Sequence, residues 1–471
     1  MTALRAPVRR GIASARAAGR AISRTSSNDV PTVGLTPDSG PAATTAPTSA
    51  LAATWKLLLG MGILMLGAGL TSTEISLRAA LEGFSAPVTG VVMSCYYLGY
   101  LLGTAAAPRL VRRVGHIRVF AAMAAMASAS VLIQGLFVDP LTWGLLRGVS
   151  GLCFAGLYVV AESWLNDRSS RATRGALLAI YMVVLYVGLG CAQFLLIPAN
   201  PNTDRPFMLA AVMISLAMVP IVLAAHRAPE IALPRKVSYR DLYRDSPLGV
   251  VAVTVGGMIT SSVYSMGPLY AQRSGLGTAG VATFMGISIL AAVLGQFPAG
   301  MLSDRMDRRT VIAGACVIAT AVAGALVMFP AMPHVLFYLL AGLFSAMSFT
   351  LYSLGVSHVN DQLEPAQMVE ASSALLRLNG IGAAVSPVLL GTLIAHFGTG
   401  AYFGALAGLA ALLTLFDLWR KRRSEPVPAE LKGAFIAAGP QGLATNMAAG
   451  TLSAAAHRAA TGAQDAPKAT P

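Results

Sequence analysis

Charge is what this chain has least of. Of its 471 residues only 11% are Asp, Glu, Lys or Arg, while 55% are hydrophobic. A water-soluble chain of this length needs far more charge to cover its surface, which argues against a soluble globular fold. Acids are scarcer than bases, 20 against 34, for a formal net charge of +14. That excess could serve nucleic acid, but the arginines lie between apolar runs rather than on one face of a domain, so no nucleic acid partner is expected. Cysteine is sparse too. Cys95, Cys153, Cys191 and Cys316 all fall inside apolar segments, with neither metal-ligand spacing nor a disulfide framework. Also missing are a Walker A loop, H-E-x-x-H, G-x-S-x-G and any paired carboxylates within an apolar run. These gaps argue against a nucleotide-driven pump and against a membrane-embedded enzyme, and no metal or other cofactor is implied.

What the chain has is apolar runs long enough to cross ~30 Å of hydrocarbon at about 1.5 Å per residue. Reading between charge clusters and turn residues gives twelve: 56–80, 88–107, 117–138, 141–165, 176–198, 207–226, 248–270, 279–302, 310–330, 334–357, 371–396 and 400–419. The predicted fold class is therefore an all-α membrane protein. Its polytopic chain meets the lipid bilayer over most of its length.

The basic residues are one-sided. Arg109, Arg112, Arg113 and Arg118 share a side with Arg168, Arg171 and Arg174, with Arg227, Arg235, Lys236, Arg240 and Arg244, and with Arg305, Arg308 and Arg309. The N-terminal tail and the run Arg420–Arg423 belong to that side as well, while the other side carries little beyond Arg78, Arg205 and Arg273. The positive-inside rule then places both termini in the cytoplasm, consistent with an even span count and a bacterial inner (plasma) membrane.

Both ends differ from the middle. Residues 1–55 are rich in Ala, Ser, Thr, Pro and Arg, with Asp29 and Asp38 the acids of the first fifty; from 420 the chain is basic, then low in complexity. Neither stretch can bury enough apolar surface to order itself, and both read as disordered tails. An Arg-rich, acid-poor start is also the composition of a transit peptide, which stays open beside a basic cytoplasmic tail.

The longest internal connection, 227–247, is polar and contains Pro229, Pro234 and Pro247. It divides the chain into an N-terminal half, 56–226, and a C-terminal half, 248–419. A repeat supports the division. Tyr158, Ser163, Asn166 and Asp167 recur as Tyr352, Ser357, Asn360 and Asp361, each 194 positions on, and Arg113 recurs as Arg305 at nearly the same offset. Two parallel six-span halves related by an axis along the membrane normal are a known transporter plan.

The sharpest motif is Gly300-Met-Leu-Ser-Asp304-Arg305-Met-Asp307-Arg308-Arg309, between spans eight and nine. It resembles the G-x-L-x-D-R-x-G-R-R loop of the major facilitator superfamily, with Asp307 where that family has Gly. A glycine at a helix end permits a tight turn, and Asp304 can cap the next turn or pair with a guanidinium. Such a loop can latch one conformation and release it in another. Its first-half counterpart is degenerate: Arg109-Leu-Val-Arg112-Arg113-Val-Gly115-His116, with Arg112 where the acid would stand. Glu162, at the inner end of span four, is the nearest acid to complete that clasp. Alternatively the arginines only fix topology, and Glu162 is a structural ion-pair partner.

Beyond that loop the chain resembles the YcaD-like branch over nearly all of 56–420. The resemblance rests on Gly156-Leu-Tyr-Val-Val-Ala-Glu162-Ser163-Trp164-Leu-Asn166, Arg174-Gly175, Tyr181-Met182 and Gly190-Cys-Ala-Gln193 in the first half. In the second it rests on Gly267-Pro268-Leu-Tyr270-Ala, Gln296-Phe-Pro298-Ala-Gly300, Tyr352-Ser-Leu, Asn360-Asp361 and Gly380-Ile-Gly382. It implies the major facilitator fold of two pseudo-symmetric six-helix bundles and a transporter, but no particular substrate.

Polar residues inside spans are costly and usually face a cavity or a partner. Arg147, in Arg147-Gly-Val-Ser-Gly151, loosely resembles the superfamily's R-x-x-Q-G element without its Gln. Glu74 and Arg78 are spaced to pair along one helix, or Glu74 faces a central cavity. Gln193, Gln296, Arg377 and Asn379 are candidate substrate contacts; Arg377 could instead snorkel to the surface. Tyr97, Tyr100 and Tyr264 suit either cavity or core. Gly99/Gly103, Gly144/Gly148 and Gly400/Gly404/Gly408 read as helix-packing stripes. Pro198, Pro298 and Pro387 read as breaks or helix ends.

The expected function is secondary active transport of a small solute by alternating access, coupled to protons, in a monomer. The competing expectation is a transporter-like sensor or scaffold that binds its ligand without moving it.

Overall fold

In the computed structural model the described residues are 47–169, 173–224, 238–363, 365–421, 433 and 435. Among them, twelve helices are long and apolar enough to cross a membrane. In chain order, spans 1 to 6 are Thr54–Leu81, Ala86–Val114, His116–Leu136, Pro140–Asp167, Gly175–Ala199 and Arg205–Leu223. Spans 7 to 12 are Pro247–Arg273, Thr278–Arg305, Arg308–Met328, His334–Asn360, Glu370–Phe397 and Ala401–Lys421. Every one overlaps an apolar run read from the sequence. Ends differ where the helix outlasts the apolar run. Span 2 continues past Pro108 through Arg112 and Arg113, and span 8 carries on to Arg305, so these basic residues sit on helical turns.

Local signals set the boundaries. The Asp139 carboxylate accepts from the Thr142 N–H (2.8 Å) to cap span 4, with Pro140 next. That backbone hydrogen bond holds the Asp139 carboxyl below its ordinary range. Gly115, at φ 93°, makes the turn between spans 2 and 3, a conformation a Cβ would oppose.

Interior prolines did not become breaks. Pro298 and Pro387 lie within continuous helices, because a membrane helix tolerates the loss of one backbone bond. The helical discontinuities fall instead at Leu195 in span 5, just before the short helix that contains Pro198, and at Phe349 in span 10.

Packing follows a repeated scheme. Spans 2 and 4, 1 and 5, 1 and 6, 3 and 4, and 3 and 6 pack together; six spans on, so do 8 and 10, 7 and 11, 7 and 12, 9 and 10, and 9 and 12. Between the groups, span 1 meets span 7, span 2 meets span 11, and span 5 meets span 8. Individual contacts recur too. A Cβ on Gly103 would strike the Leu152 carbonyl, and one on Gly295 the Ala346 carbonyl, at equivalent places in spans 2/4 and 8/10. Gly99 lies against the Gly148 backbone, whereas Gly400, Gly404 and Gly408 have nothing within 4 Å. The glycine stripe of span 12 is therefore not a packing face among the described residues.

The tails and linker are partly outside the described residues, namely 1–46, 170–172, 225–237 and 422 onward except Gly433 and Phe435. The readings placed there, including Arg171, Arg227, Arg235, Lys236 and the end of the Arg420–Arg423 run, lie outside with them. The first helix begins at Pro47, inside the segment read as a disordered tail, because Ala- and Leu-containing sequence extends the first span backwards. In the connection between groups, Tyr239–Asp245 forms a short helix capped by Ser238.

Candidate path between the two helix groups

The chain turns at two ends of the bundle: one bears the basic residues, and the other bears the turns near Phe84, Asp139 and Ser274. At this opposite end the groups are closed on each other. Gly90 lies against the Pro387 backbone, Gly391 against the Ala86 carbonyl, and Gly286 against the Phe194 ring. Arg273 Nη2 donates to the Phe84 carbonyl at 3.1 Å.

Below this seal lie three cavities in series. The first is lined by Thr71 and Ser72 of span 1, Tyr96 and Tyr97 of span 2, Arg147 and Ser150 of span 4, and Tyr264 of span 7. The second is lined by Tyr97, Tyr186, Phe349, Tyr352 and Asn379. The third, about 320 Å³, runs between spans 5 and 8 to the basic end, lined by Met182, Tyr186, Gln296, Gly300, Asp304 and Phe435. Tyr97 is shared by the first two and Tyr186 by the last two. The geometry is that of a segmented path between the groups, sealed at one end and reaching the other.

The structure gathers some sequence candidates onto this path and leaves others off it. Arg147, Tyr264, Asn379 and Gln296 line it. Arg147 is buried, with its guanidinium 4.5 Å from the Tyr96 ring centroid. The Asn379 amide donates to the Val253 carbonyl (3.1 Å) and the Gln296 amide to that of Phe349 (3.4 Å), at the break in span 10. Gln193 does not line these cavities; it accepts from Thr73 and donates to the Leu189 carbonyl (2.8 Å), tying span 5 to span 1. Arg377 is half-buried and lines none of the three.

Glu74 and Arg78 are not paired. Arg78 Nε instead donates to Glu82 at 2.7 Å, and its Nη1 to the Pro201 carbonyl at 2.9 Å. Glu82 stands at the exposed helix end, where an extended guanidinium keeps contact with water. Glu74 is left fully buried, and both carboxyl oxygens lack hydrogen-bond partners.

At the basic end the two groups differ. In the C-terminal group Arg308 is buried and donates to Asp361 (Nε–Oδ2 2.6 Å), to Ser303 Oγ (3.0 Å) and to the Gly433 carbonyl. The Gly433 N–H donates back to Asp361 (3.0 Å). Asp304 accepts from the Phe435 N–H (2.9 Å), and the Phe435 ring covers Gly300. Arg309 lies 3.9 Å from Asp307, while Arg305 is exposed. In the N-terminal group Arg112 and Arg113 are exposed, and among the ion pairs of the described residues none joins either to Glu162. The contact holding the span 3 start to the span 4 end is His116 Nε2 with Ser163 Oγ (3.1 Å), the imidazole stacking on Trp164. Extended arginines at a helix end gain more from water than from reaching inward to a half-buried carboxyl.

Sequence reasoning passed over Tyr96, Ser150, Phe154, Tyr186, Phe349 and Phe435. The Tyr96/Tyr100 spacing on one helix face could have drawn attention to Tyr96. Nothing in the sequence signalled Phe435.

The family model described as Major Facilitator Superfamily matches residues 57–360 and 281–460. An MFS-type transporter of Enterobacter sp. (strain 638) is 28% identical over 376 residues, 79% of this chain and 96% of its own. The MFS-type transporter YcaD of Escherichia fergusonii is 27% identical over 374 residues, 79% of this chain and 97% of its own. Among solved structures, the nucleoside transporter NupG superposes with a TM-score of 0.66 at 12% identity, over 79% of this chain and 100% of its own. A bacterial homologue of the human lysosomal transporter Spinster, inward-facing and occupied, gives 0.66 at 14% identity, over 83% and 99%. At such identities these two speak for the fold alone.

Proposed function

The chain belongs to the major facilitator superfamily, in its YcaD-like branch, and from that premise we propose that it carries a small solute across the membrane by alternating access. The observation that carries this reading is the segmented path between the helix groups, sealed at one end and continuous in its lining towards the other. Rocking one group against the other would part spans 2 and 11 at the seal and close the basic end. The excess of arginines at that end supports a cytoplasmic placement for it.

Coupling is to protons, through Glu74. A carboxyl inside a span with no partner for either oxygen can hold a proton in one state and yield it when motion brings in water or a cation. The test is flux in proteoliposomes, with and without a pH gradient, of solutes that stabilise the purified protein. Glu74→Gln should leave exchange between equal pools intact and remove gradient-driven accumulation. Undiminished accumulation in Glu74→Gln would refute proton coupling through this residue, and stabilising solutes that are never carried would favour a sensor.

A further inference from the structure

We infer that the first cavity is a subsite for an organic monoanion: a carboxylate held by Arg147, Ser150 and Tyr264, on an aromatic or flat apolar body. The inference rests on the transport reading for its purpose, but on its own observations for its chemistry.

Three polar groups meet at this cavity without partners. Arg147 Nε, Ser150 Oγ and the Tyr264 hydroxyl are buried and make no hydrogen bond. All three can donate, and Nε can do nothing else. Arg147 is 4% exposed, and no acidic side chain lines the cavity or pairs with it among the described residues. A buried guanidinium is ordinarily paired. Here its neighbour is the Tyr96 ring, which satisfies the face of the cation and leaves the in-plane Nε donor unused. The missing element is an acceptor with negative charge. One cation calls for one negative charge, and a planar two-oxygen carboxylate matches the guanidinium fork.

The walls specify the rest. Tyr97, Phe154 and Tyr158 surround the site with rings, and Ala68 and Leu189 complete it. Rings favour a flat apolar partner over a heavily hydroxylated one. Tyr97 also lines the second cavity, and each of these two cavities is only about 20 Å³ in this sealed state, so the body is accommodated past Tyr97, towards Asn379 and Tyr352, only as the groups part.

The test uses the purified full-length protein and three probes that share a phenyl ring, the anionic benzoate, its neutral isostere benzamide and the cationic benzylamine, read by thermal shift and by titration. Benzoate should stabilise the protein and the other two should not. Arg147→Gln should weaken benzoate by about tenfold or more, as expected for loss of a charge-assisted contact. Tyr264→Phe, which keeps the ring, should weaken it by a smaller factor and serves as the arbiter if Arg147→Gln does not fold. Equal stabilisation by the amide or amine, benzoate binding unaffected by either variant, or no binding of benzoate would overturn the subsite. Arg147-dependent benzoate binding without flux in proteoliposomes would leave the subsite standing and remove the transport reading; flux of uncharged solutes alone would do the reverse.

Discussion

The two helix groups share a packing scheme yet fasten their basic ends differently. In the C-terminal group the start of span 9 is tied to the end of span 10 by the buried Arg308–Asp361 pair, whose side chains are 1% and 3% exposed. At the same offset in the N-terminal group stands His116, and it meets Ser163 through one neutral contact. The counterpart of Asp361 is Asp167, which is exposed. One helical frame thus supports a buried ion pair in one copy and an imidazole–hydroxyl contact in the other. Repetition fixes where the helices touch; individual side chains decide how firmly.

Breaking the ion pair should have the largest effect. Asp361→Ala leaves Arg308 buried without its counter-ion, which costs about 3–5 kcal/mol and should sharply lower the yield and melting temperature of purified protein. Replacing both partners together, Arg308→Met with Asp361→Leu, should recover most of that loss. If Asp361→Ala melts like wild type, the pair is not what holds this end. In the N-terminal group, His116→Ala removes one hydrogen bond and a ring contact, so the expected loss is about 1 kcal/mol. A loss as large as that of Asp361→Ala would erase the contrast between the groups.

The smallest effect concerns the starts of spans 4 and 10. Span 4 is capped by Asp139, whereas span 10 begins after Pro333 with no side-chain cap. Asp139→Ala should lower the melting temperature slightly at neutral pH. Because the folded carboxyl titrates below its unfolded value, the cap contributes above the unfolded carboxylate range and is lost as pH falls through the folded one. The gap between wild type and Asp139→Ala should therefore narrow on acidification; a gap that widens would contradict the cap.

The span pattern was legible because hydrocarbon thickness imposes a minimum run of uncharged residues, and the repeat was legible because Tyr158 and Tyr352 head matching series. Side-chain choices were less so. Arg78 could reach Glu74 or Glu82 at the same helical spacing, and only the exposure of Glu82 decides between them. The helix break at Phe349 carries no proline, while Pro298 and Pro387 break nothing. Phe435 lies in a stretch whose composition suggests no order, yet its N–H reaches Asp304 and its ring covers Gly300. That contact depends on residues more than 130 positions apart, which no local pattern encodes.

Alternating access requires that one path opens to one side at a time as the groups move. It is tested by bridging the two groups at the seal, with Phe84→Cys and Arg273→Cys joined by a short linker attached through disulfides, in a chain whose four native cysteines are replaced. After the bridge has formed, a further Tyr97→Cys is probed with a membrane-impermeant thiol reagent from each face. Labelling is expected from the basic face only, with labelling from the opposite face restored on reduction. Labelling from the opposite face while the bridge is intact would contradict it.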